Sequence, residues 1–305
     1  MSDTPPTGDV PASLLVEPTG NATTNEGQAF RPNWEVNRVL EGDCLERLNE
    51  VPDQSVHLIL CDLPYGTTRN PWDSVIPLEP LWEAYRRILA PKGVIILSAQ
   101  GPFTARLMTS NEDWFRYKIV WIKSKATNFL NAKRQPLRRH EDILVFYPKP
   151  PTYNPQMRSG TPYDKGVRKD QLTGSYGAFE PVGIKSEGTR YPTDVVYFKT
   201  AESEGKVWHP TQKPVALGRY LVRTFTQPGQ VVLDNACGSG SFLVAAIQEG
   251  RNAVGIERNL ATTQFQKKEV HLIALCERRM LEAWDELQPQ TRDQLTQSGL
   301  FRTRS

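Results

Sequence analysis

Short apolar runs recur along the middle of the chain, separated by polar and turn-forming stretches. Continuous runs of this length are typical of strands that are buried on both faces of a sheet. They predict strands at Val56–Cys61, Val94–Ser98, Tyr117–Ile122, Ile143–Tyr147, Val231–Asp234 and Ala253–Ile256. Apolar residues at helical spacing predict helices at Leu78–Leu89, Val215–Phe225 and Ser241–Glu249, and a long helix from about Leu260 to Leu287. Strands that alternate with helices favour a doubly wound, mostly parallel, Rossmann-like α/β sheet.

The other segments divide the chain into parts. Residues 1–32 are rich in Pro, Thr, Gly, Asn and Ser, so they bury little surface and are expected to form a disordered tail. Residues 148–206 are rich in Pro, Gly, Ser, Thr and Tyr and are too long for an ordinary connection, which predicts an inserted, irregular subdomain. The α/β domain then comprises residues 33–147 and 207–287, and a second tail follows at 288–305.

Composition narrows the class of protein. Hydrophobic residues make up 38% of the chain and charged residues 23%, with a net charge of +3, which suits a globular protein whose local charge matters more than its total. The apolar runs are far shorter than the roughly 20 residues of a membrane span, and residues 1–20 do not resemble a signal peptide. The four cysteines form no CxxC pair, so reduced thiols, no metal site and a cytoplasmic location are expected.

A glycine-rich turn follows the predicted strand Val231–Asp234. Its candidate ligand-binding residues are Asp234, Cys237, Gly238, Gly240, Ser241 and Phe242. Glycines let the backbone turn tightly and approach a ligand, and the amides that begin the next helix face that ligand. Glu257 ends the next strand, 23 positions after Asp234. An acid at this place is the arrangement that binds ribose hydroxyls.

The turn departs from the dinucleotide-binding pattern. Leu243 stands where GxGxxG has its third glycine, which a pyrophosphate requires. Asp234 would repel a phosphate but would accept a hydrogen bond from an ammonium group. The pattern therefore favours a cofactor with an amino-acid end and a nucleoside end, such as S-adenosylmethionine, over a nicotinamide cofactor. The alternative is a tight turn that binds nothing.

A second group of candidate residues follows the predicted strand Val56–Cys61. Asp62, Leu63, Pro64 and Tyr65 come directly after it, at the sheet edge where α/β proteins bind ligands. Asp62 would accept one N–H of an exocyclic base amine, and the carbonyl of Leu63 or Pro64 would accept the other. Two acceptors favour the pyramidal amine that attacks a methyl sulfonium. Tyr65 would stack on a base removed from the duplex; the alternative is a simple turn.

These motifs resemble those of the DNA amino-methyltransferases. Residues 62–65 resemble the family's catalytic Asp-Pro-Pro-Tyr motif, and residues 234–240 resemble its S-adenosylmethionine motif. The catalytic motif comes first, as in the family's permuted β group, and the resemblance covers roughly residues 36–268. It implies a methyltransferase sheet with an inserted target-recognition region. The implied activity is site-specific methylation of adenine N6 in duplex DNA, by base flipping and direct methyl transfer, as in restriction–modification systems.

The same resemblance assigns further residues. It places Asp43 near the cofactor adenine, and Thr211 and Lys213 near the methionine carboxylate. Residues 139–141, which include His140, resemble a segment near the target base. Related proteins often form homodimers, so a homodimer is possible here.

Three features leave alternatives open. In the family, Ser in place of Asp62 tends to accompany methylation of cytosine N4, so Asp62 favours adenine, with cytosine N4 or an RNA base as alternatives. Leu63 replaces a proline of the family motif, which is the one indication of a catalytically decayed DNA-binding relative. Trp72 and Asp73 resemble a family feature that either orders a gate or caps the following helix.

Cations cluster between residues 114 and 140, a stretch that contains no Asp or Glu. A basic block with interleaved aromatic residues suits contact with DNA phosphates, and the alternative is a solvated basic surface. The predicted DNA-binding residues are Lys123, Lys125, Lys133, Arg134, Arg138, Arg139 and His140. The insertion is the candidate for base recognition. Its candidate contact residues are Arg158, Arg168, Lys169, Lys185, Arg190, Tyr153, Tyr163, Tyr176 and Tyr191.

Overall fold

The computed structural model of the protein describes most of the chain between residues 34 and 300. The described ranges are 34–67, 73–167, 183–205, 207–209, 211–258, 263–265 and 268–300. The strands in these ranges are β1 (Arg38–Glu41), β2 (Val56–Cys61), β3 (Leu89–Ala99), β4 (Phe115–Thr127), β5 (Arg138–Phe146), β6 (Arg158–Ser159), β7 (Tyr163–Val167), β8 (Gly183–Ser186), β9 (Thr189–Arg190), β10 (Val195–Phe198), β11 (Val231–Asp234), β12 (Asn252–Glu257), β13 (Thr263–Phe265) and β14 (Lys268–Val270). The helices are α1 (Cys44–Arg47), α2 (Leu78–Ile88), α3 (Pro102–Thr109), α4 (Val215–Phe225), α5 (Ser241–Gln248), α6 (Leu272–Asp285) and α7 (Pro289–Gln297).

Within these ranges, eight strands form one sheet in the order β1-β12-β11-β2-β3-β5-β4-β10. The pairs from β1 to β3 are parallel, β5 is antiparallel to both of its neighbours, and β10 is parallel to β4. All of these strands except β5 therefore point the same way. This confirms the predicted fold, a mostly parallel, Rossmann-like sheet, and the six predicted strands lie within or closely match observed ones.

Helices cover both faces of the sheet. In β2, Leu58 and Leu60 point into one hydrophobic core, and Ile59 and Cys61 point into the other. Helices α4, α5 and α6 pack on the first core, and α2 and α3 pack on the second. Because the central strands are buried on both sides, they carry continuous apolar runs rather than alternating ones.

The predicted helix from Leu260 to Leu287 is wrong in its first part. Helix α6 begins only at Leu272, and β13 and β14 form a short antiparallel pair before it. His271 caps the helix, since its Nδ1 accepts a hydrogen bond from the Ala274 amide at 3.3 Å. A capping side chain satisfies an amide that has no partner inside the helix, which favours the start at this residue.

Residues 288–305, expected to be a tail, contain helix α7. Pro289 occupies its first turn, where the missing N–H costs nothing. Leu295 is buried, and the Leu300 carbonyl accepts a hydrogen bond from Asn252 Nδ2 at 2.7 Å. This segment therefore packs on the domain up to residue 300.

The predicted insertion, residues 148–206, contains two small antiparallel pairs, β6 with β9 and β7 with β8. Its last strand, β10, pairs with β4 and extends the main sheet, with Val196 and Phe198 buried. An apolar run of four residues was too short to indicate this. The predicted tail at 1–32 lies outside the described residues, as do three candidate contact residues of the insertion, Arg168, Lys169 and Tyr176.

The described residues contain neither a helix suited to crossing a bilayer nor a His, Cys, Asp and Glu cluster arranged for a metal ion. The four cysteines are buried and form no disulfide. The sulfur atoms of Cys237 and Cys276 lie 3.9 Å apart.

Candidate active site

Neighbouring parallel strands carry acids at one edge of the sheet. Asp43 follows β1, Glu257 ends β12, Asp234 ends β11 and Asp62 follows β2. These strands are adjacent and parallel, so their carboxyl ends lie side by side, where α/β sheets bind ligands. A cavity of about 570 Å³ lies at this edge. Its volume falls within the range of roughly 300–1,000 Å³ that is usual for small-molecule sites.

The cavity brings together nearly all of the predicted catalytic and cofactor residues. Its wall includes Asp62, Pro64, Tyr65, Asp43, Thr211, Lys213, Asp234, Cys237, Gly238, Ser241, Phe242 and Glu257. Gly240 lies behind the wall and packs on α6, where a Cβ would come within 2.8 Å of Cys276 Sγ. Its φ of +79° also favours glycine, so Gly240 shapes the turn rather than lining the cavity.

Gly238 ties the turn to the neighbouring strand. Its amide donates to Glu257 Oε2 at 2.7 Å, and its carbonyl accepts from the Cys276 thiol at 3.0 Å. A Cβ at Gly238 would meet nothing within 4 Å, and φ is +50°. A side chain here would extend into open space beside the cavity, which is the space that a ligand requires.

The side of the cavity that the glycine-rich turn lines offers polar groups to a ligand. Ser241 Oγ is buried and lacks a hydrogen-bond partner among the described residues. Buried polar groups are normally paired, so this hydroxyl is available to a bound molecule. Asp234 is buried, which raises the pKa of its carboxyl to about 7. A nucleoside cofactor with an ammonium group fits this set of donors and acceptors.

Asp62 is held between two partners on the other side of the cavity. Its Oδ1 accepts from the Tyr65 hydroxyl at 2.6 Å, and Lys213 Nζ donates to its Oδ2. Burial raises the pKa of Asp62, and the Lys213 ammonium opposes that rise. A carboxylate has about four acceptor positions, so Asp62 can still accept an N–H from a substrate.

Lys213 links Asp62 to a second carboxylate. Its Nζ lies 3.4 Å from Glu141 Oε2, and Lys123 Nζ donates to Glu141 Oε1. Burial favours protonation of Glu141, but the Lys213 and Lys123 ammonium groups together lower its pKa. Burial also disfavours the charged form of Lys213, but the two carboxylates raise its pKa. We call this row of buried and half-buried groups, Tyr65–Asp62–Lys213–Glu141–Lys123, the charged chain.

The structure changes the interpretation of Lys123. It was predicted to contact DNA, but it is only 5% exposed and its ammonium is bound to Glu141. It therefore belongs to the cavity wall. Glu141 was predicted only as part of the segment 139–141 near the target base, with no role of its own. The sequence did contain an indication, because Glu141 and Asp142 stand together at the start of an apolar strand, where an unpaired carboxylate is costly.

Lys213 and Thr211 line the cavity on the segment before α4. The ammonium of Lys213 is engaged by Asp62 and Glu141 in this structure. The Thr211 hydroxyl lies 3.0 Å from His209 Nδ1. Burial, with a smaller effect of Lys213, lowers the pKa of His209 to about 4. His209 is therefore neutral at physiological pH and adds no charge to the site.

Asp73 orders the backbone after the catalytic motif. Its Oδ1 accepts from the Gly66 amide at 2.8 Å, and its Oδ2 accepts from the Thr67 amide at 2.9 Å. Helix α2 begins after Pro77, not at Asp73. Of the two roles considered for Asp73, the structure shows the ordering of the loop. Trp72 lies outside the described residues.

Leu63 and Tyr65 anchor the motif by packing. Leu63, the departure from the family's proline, is buried in the hydrophobic core on the α2 side of the sheet. The Tyr65 ring stacks on Phe103, with ring centroids 5.1 Å apart. Apolar contacts therefore hold the motif in place where the family's proline would restrict the backbone.

The other predicted DNA-binding residues are exposed near the mouth of the cavity. They are Lys125, Lys133, Arg134, Arg138, Arg139 and His140. Strands β4 and β5 form a hairpin here, and the paired residues Thr127 and Arg138 at its outer end also line the cavity. Arg138 Nη1 donates to Gln100 Oε1 at 2.7 Å, which holds the guanidinium at the rim.

The sequence and the fold resemble those of known proteins. The chain is 27% identical over 253 residues to the type II methyltransferase M.BglII of Bacillus subtilis, and the match spans 74% of this chain and 66% of that protein. The fold resembles the M1.HpyAVI–SAM complex (TM-score 0.52, 18% identity, 80% of this chain and 98% of that one). It also resembles the cytosine-N4-specific PvuII DNA methyltransferase (TM-score 0.54, 14% identity, 86% and 92%). A family model for N6 and N4 DNA methylases matches residues 56–267, more than two thirds of the chain. The chain therefore belongs to the N6/N4 DNA methylase family.

Proposed function

We propose that the protein transfers a methyl group from S-adenosylmethionine to the exocyclic amine of a base in duplex DNA, with adenine N6 as the target. One observation carries the proposal. Asp62 and Tyr65 share a single cavity with Asp234, Gly238 and Glu257, although the two motifs lie far apart in sequence. A methyl donor and a base amine would meet only in such a common cavity.

Groups of the chain itself would prepare the amine. Asp62 accepts one N–H, and the carbonyl of Leu63 or Pro64 accepts the other, which favours a pyramidal nitrogen and stabilises its developing positive charge. Bound S-adenosylmethionine would supply the methyl group from its sulfonium. The amine nitrogen would form the new carbon–nitrogen bond, and sulfur would keep the electron pair of the broken carbon–sulfur bond. The alkylated nitrogen then loses a proton. We assign uptake of that proton to Asp62, whose pKa burial raises.

Residues on the other side of the cavity would hold the cofactor. We assign the ammonium group to Asp234, the ribose hydroxyls to Glu257 and the adenine to the region of Asp43, in line with their places at the ends of β11, β12 and β1. Ser241 supplies a buried hydroxyl that is available to the ligand.

Asp234→Asn should weaken cofactor binding and stabilise the folded protein. The folded protein carries a buried carboxylate above pH 7, because burial raises the pKa of Asp234 to about 7. The free energy of unfolding of the wild type therefore falls as pH rises from the ordinary carboxyl pKa to 7. Asp234→Asn removes the buried charge, so it should raise the free energy of unfolding by up to about 4 kcal/mol at pH 8 and by less at pH 5. Loss of a charge-assisted hydrogen bond should lower affinity roughly 10- to 100-fold.

Calorimetric titration and urea unfolding at pH 5 and pH 8 measure both effects. Wild-type affinity for S-adenosylmethionine should fall below pH 7 as Asp234 takes up a proton, and the variant should lack this dependence. Asp53→Asn, at an exposed carboxylate paired with Arg87, is the matched control. Unchanged affinity in Asp234→Asn would exclude this residue from the cofactor site.

The exposed cations of the β4–β5 hairpin should supply phosphate contacts. Replacing Lys133, Arg134, Arg138 and Arg139 with Gln should weaken DNA binding. It should also reduce the slope of log affinity against log salt concentration by up to about 3–4, because each phosphate contact contributes about 0.9 to that slope. Filter binding or fluorescence anisotropy at several salt concentrations measures the slope.

The control neutralises Arg86 and Lys92. These cations lie at the end of α2 and the start of β3, at the sheet edge opposite the cavity. Their loss should leave the salt slope unchanged. A slope that is the same in wild type and in the hairpin variant would remove the hairpin cations from the interface.

We assign target recognition to the insertion, residues 148–206. In its described part, Tyr153 and Tyr191 are exposed, and the Arg190 guanidinium lies over the Tyr163 ring at 4.3 Å. Exposed rings, and a half-buried guanidinium held over a ring, suit contacts with bases and phosphates.

A methyl-transfer assay tests the proposed function. The protein is incubated with labelled S-adenosylmethionine and unmethylated genomic DNA, and the DNA is digested to nucleosides. Label in N6-methyladenosine supports the proposal and allows the site to be mapped. The second candidate is cytosine N4, favoured by the structural likeness to the PvuII enzyme, and label in N4-methylcytosine would select it. Absence of label with cofactor binding intact would point to a decayed DNA-binding relative or an RNA substrate.

A further inference from the structure

The β4–β5 hairpin ends in a tip, residues 128–137, that exposes large apolar side chains. Phe129 is 76% exposed and Leu130 is 84% exposed, the highest values for large hydrophobic residues in the described part of the chain. Leu137, on the same tip, is also exposed. Single exposed apolar residues are common on protein surfaces. Three on one short tip form a patch of the kind that binds a partner.

Hydrogen bonds within the tip hold these side chains outward. Asn128 adopts a left-handed conformation with φ of +72°, and its Oδ1 accepts from Asn131 Nδ2 at 2.7 Å. The Ala132 amide donates to the Phe129 carbonyl at 3.1 Å. Phe129 and Leu130 therefore lie on a defined turn of 3-10 helix, which presents them to a partner in a set orientation.

The surroundings of the tip indicate the kind of partner. The hairpin residues Thr127 and Arg138, which pair just before and after the tip, both line the cavity that contains Asp62. Lys133 and Arg134 are exposed on the tip itself, and no acid occurs between residues 114 and 140. Apolar side chains flanked by cations match duplex DNA, whose phosphates bind cations and whose base steps accept apolar groups.

We propose that Phe129 and Leu130 enter the DNA base stack as an apolar wedge and fill the space that the target base leaves as it turns into the cavity. The inference rests on the proposed function, because it requires a base that leaves the duplex. Extruding a base costs stacking and pairing energy. Burial of exposed apolar side chains between base steps offsets that cost.

The wedge makes a prediction that distinguishes it from simple DNA binding. On a matched duplex carrying the mapped site, Phe129→Ala with Leu130→Ala should lower methyl transfer about tenfold or more, as expected when burial of two apolar side chains is lost. The fluorescence of 2-aminopurine at the target position should fall in parallel. A duplex with a mismatch at the target is already destabilised, so transfer to it should stay close to wild type. The salt slope of binding should not change.

Three comparisons control the experiment. Leu281→Ala, at an exposed leucine on α6, should leave methyl transfer to both duplexes unchanged. Phe129→Leu keeps an apolar side chain and should retain most of the activity on the matched duplex. Cofactor affinity and the unfolding transition of the double variant should match wild type, which shows that its cavity and fold are intact.

Each outcome decides the question. The wedge is supported if the double variant methylates the matched duplex more slowly than wild type but methylates the mismatched duplex at close to the wild-type rate. Full activity of the double variant on both substrates overturns it, and so does an equal loss on both, which would assign the tip to binding or catalysis. Failure of the wild-type protein to methylate any DNA would instead overturn the proposed function, and the wedge with it.

Discussion

Asp62→Asn should lower the rate of methyl transfer by about a hundredfold or more, in line with the loss of one preorganised electrostatic contact in other active sites. Asn keeps the size of the side chain but carries no charge, so it cannot stabilise positive charge that develops on the amine nitrogen. The NH₂ group of Asn would also face a hydrogen-bond donor, because Asp62 accepts hydrogen bonds from Lys213 and Tyr65 at its two oxygens. Single-turnover kinetics with labelled S-adenosylmethionine measure the rate, and calorimetric titration should show that the cofactor still binds.

The matched control is again Asp53→Asn, which removes an exposed carboxylate outside the cavity and should leave the rate unchanged. Asp62→Ala should abolish transfer altogether. Near-wild-type rates in both Asp62 variants would show that the carboxylate takes no part in the reaction, and the assignment of residues 62–65 as the catalytic motif would fail.

Lys213→Met should destabilise the folded protein by about 3–5 kcal/mol at pH 8, the usual cost of removing one partner from a buried ion pair. Without the ammonium group, Asp62 and Glu141 face each other's negative charge, and the pKa of each carboxyl rises above its value in wild type. The folded state then binds protons that the unfolded state does not, so stability falls as pH rises. The loss should therefore be clearly smaller at pH 5 than at pH 8, as measured by urea unfolding.

A second substitution tests whether charge or packing causes this loss. Lys213→Met combined with Asp62→Asn removes the carboxylate that loses its ammonium partner, whereas Glu141 keeps Lys123, and should recover part of the stability at pH 8. Lys125→Met, at an exposed lysine of the same hairpin, should change stability little. A loss of equal size at pH 5 and pH 8 would mean that the packing of Lys213, and not its charge, stabilises the site.

The charged chain shows how distant segments position the candidate catalytic group. Asp62 follows β2, Glu141 lies in β5, Lys123 lies in β4 and Lys213 precedes α4. Buried ion pairs often contribute little net stability compared with apolar residues. The arrangement is therefore better explained by its effect on Asp62, whose orientation it sets through Lys213 and Tyr65, than by a gain in stability.

The sequence by itself determined the core strands and the two principal motifs. Strands buried on both faces require continuous apolar runs, so Val56–Cys61 and Val231–Asp234 were predicted with the bounds that the structure has. The residues after them, Asp62 and the turn at Gly238, had to lie at the carboxyl edge of a parallel sheet. Local patterns sufficed here because each one is set by a few adjacent residues.

Only the tertiary structure decided which distant residues meet. The pairing of Lys213 with Asp62 and Glu141, the burial of Lys123 and the place of β10 beside β4 all depend on the order of strands in the sheet. Strand order is set by packing between segments that lie tens to hundreds of residues apart, and no local pattern records it. For the same reason Lys123 and Lys125, two positions apart on one basic hairpin, have opposite environments: one is paired inside the cavity wall and the other faces solvent.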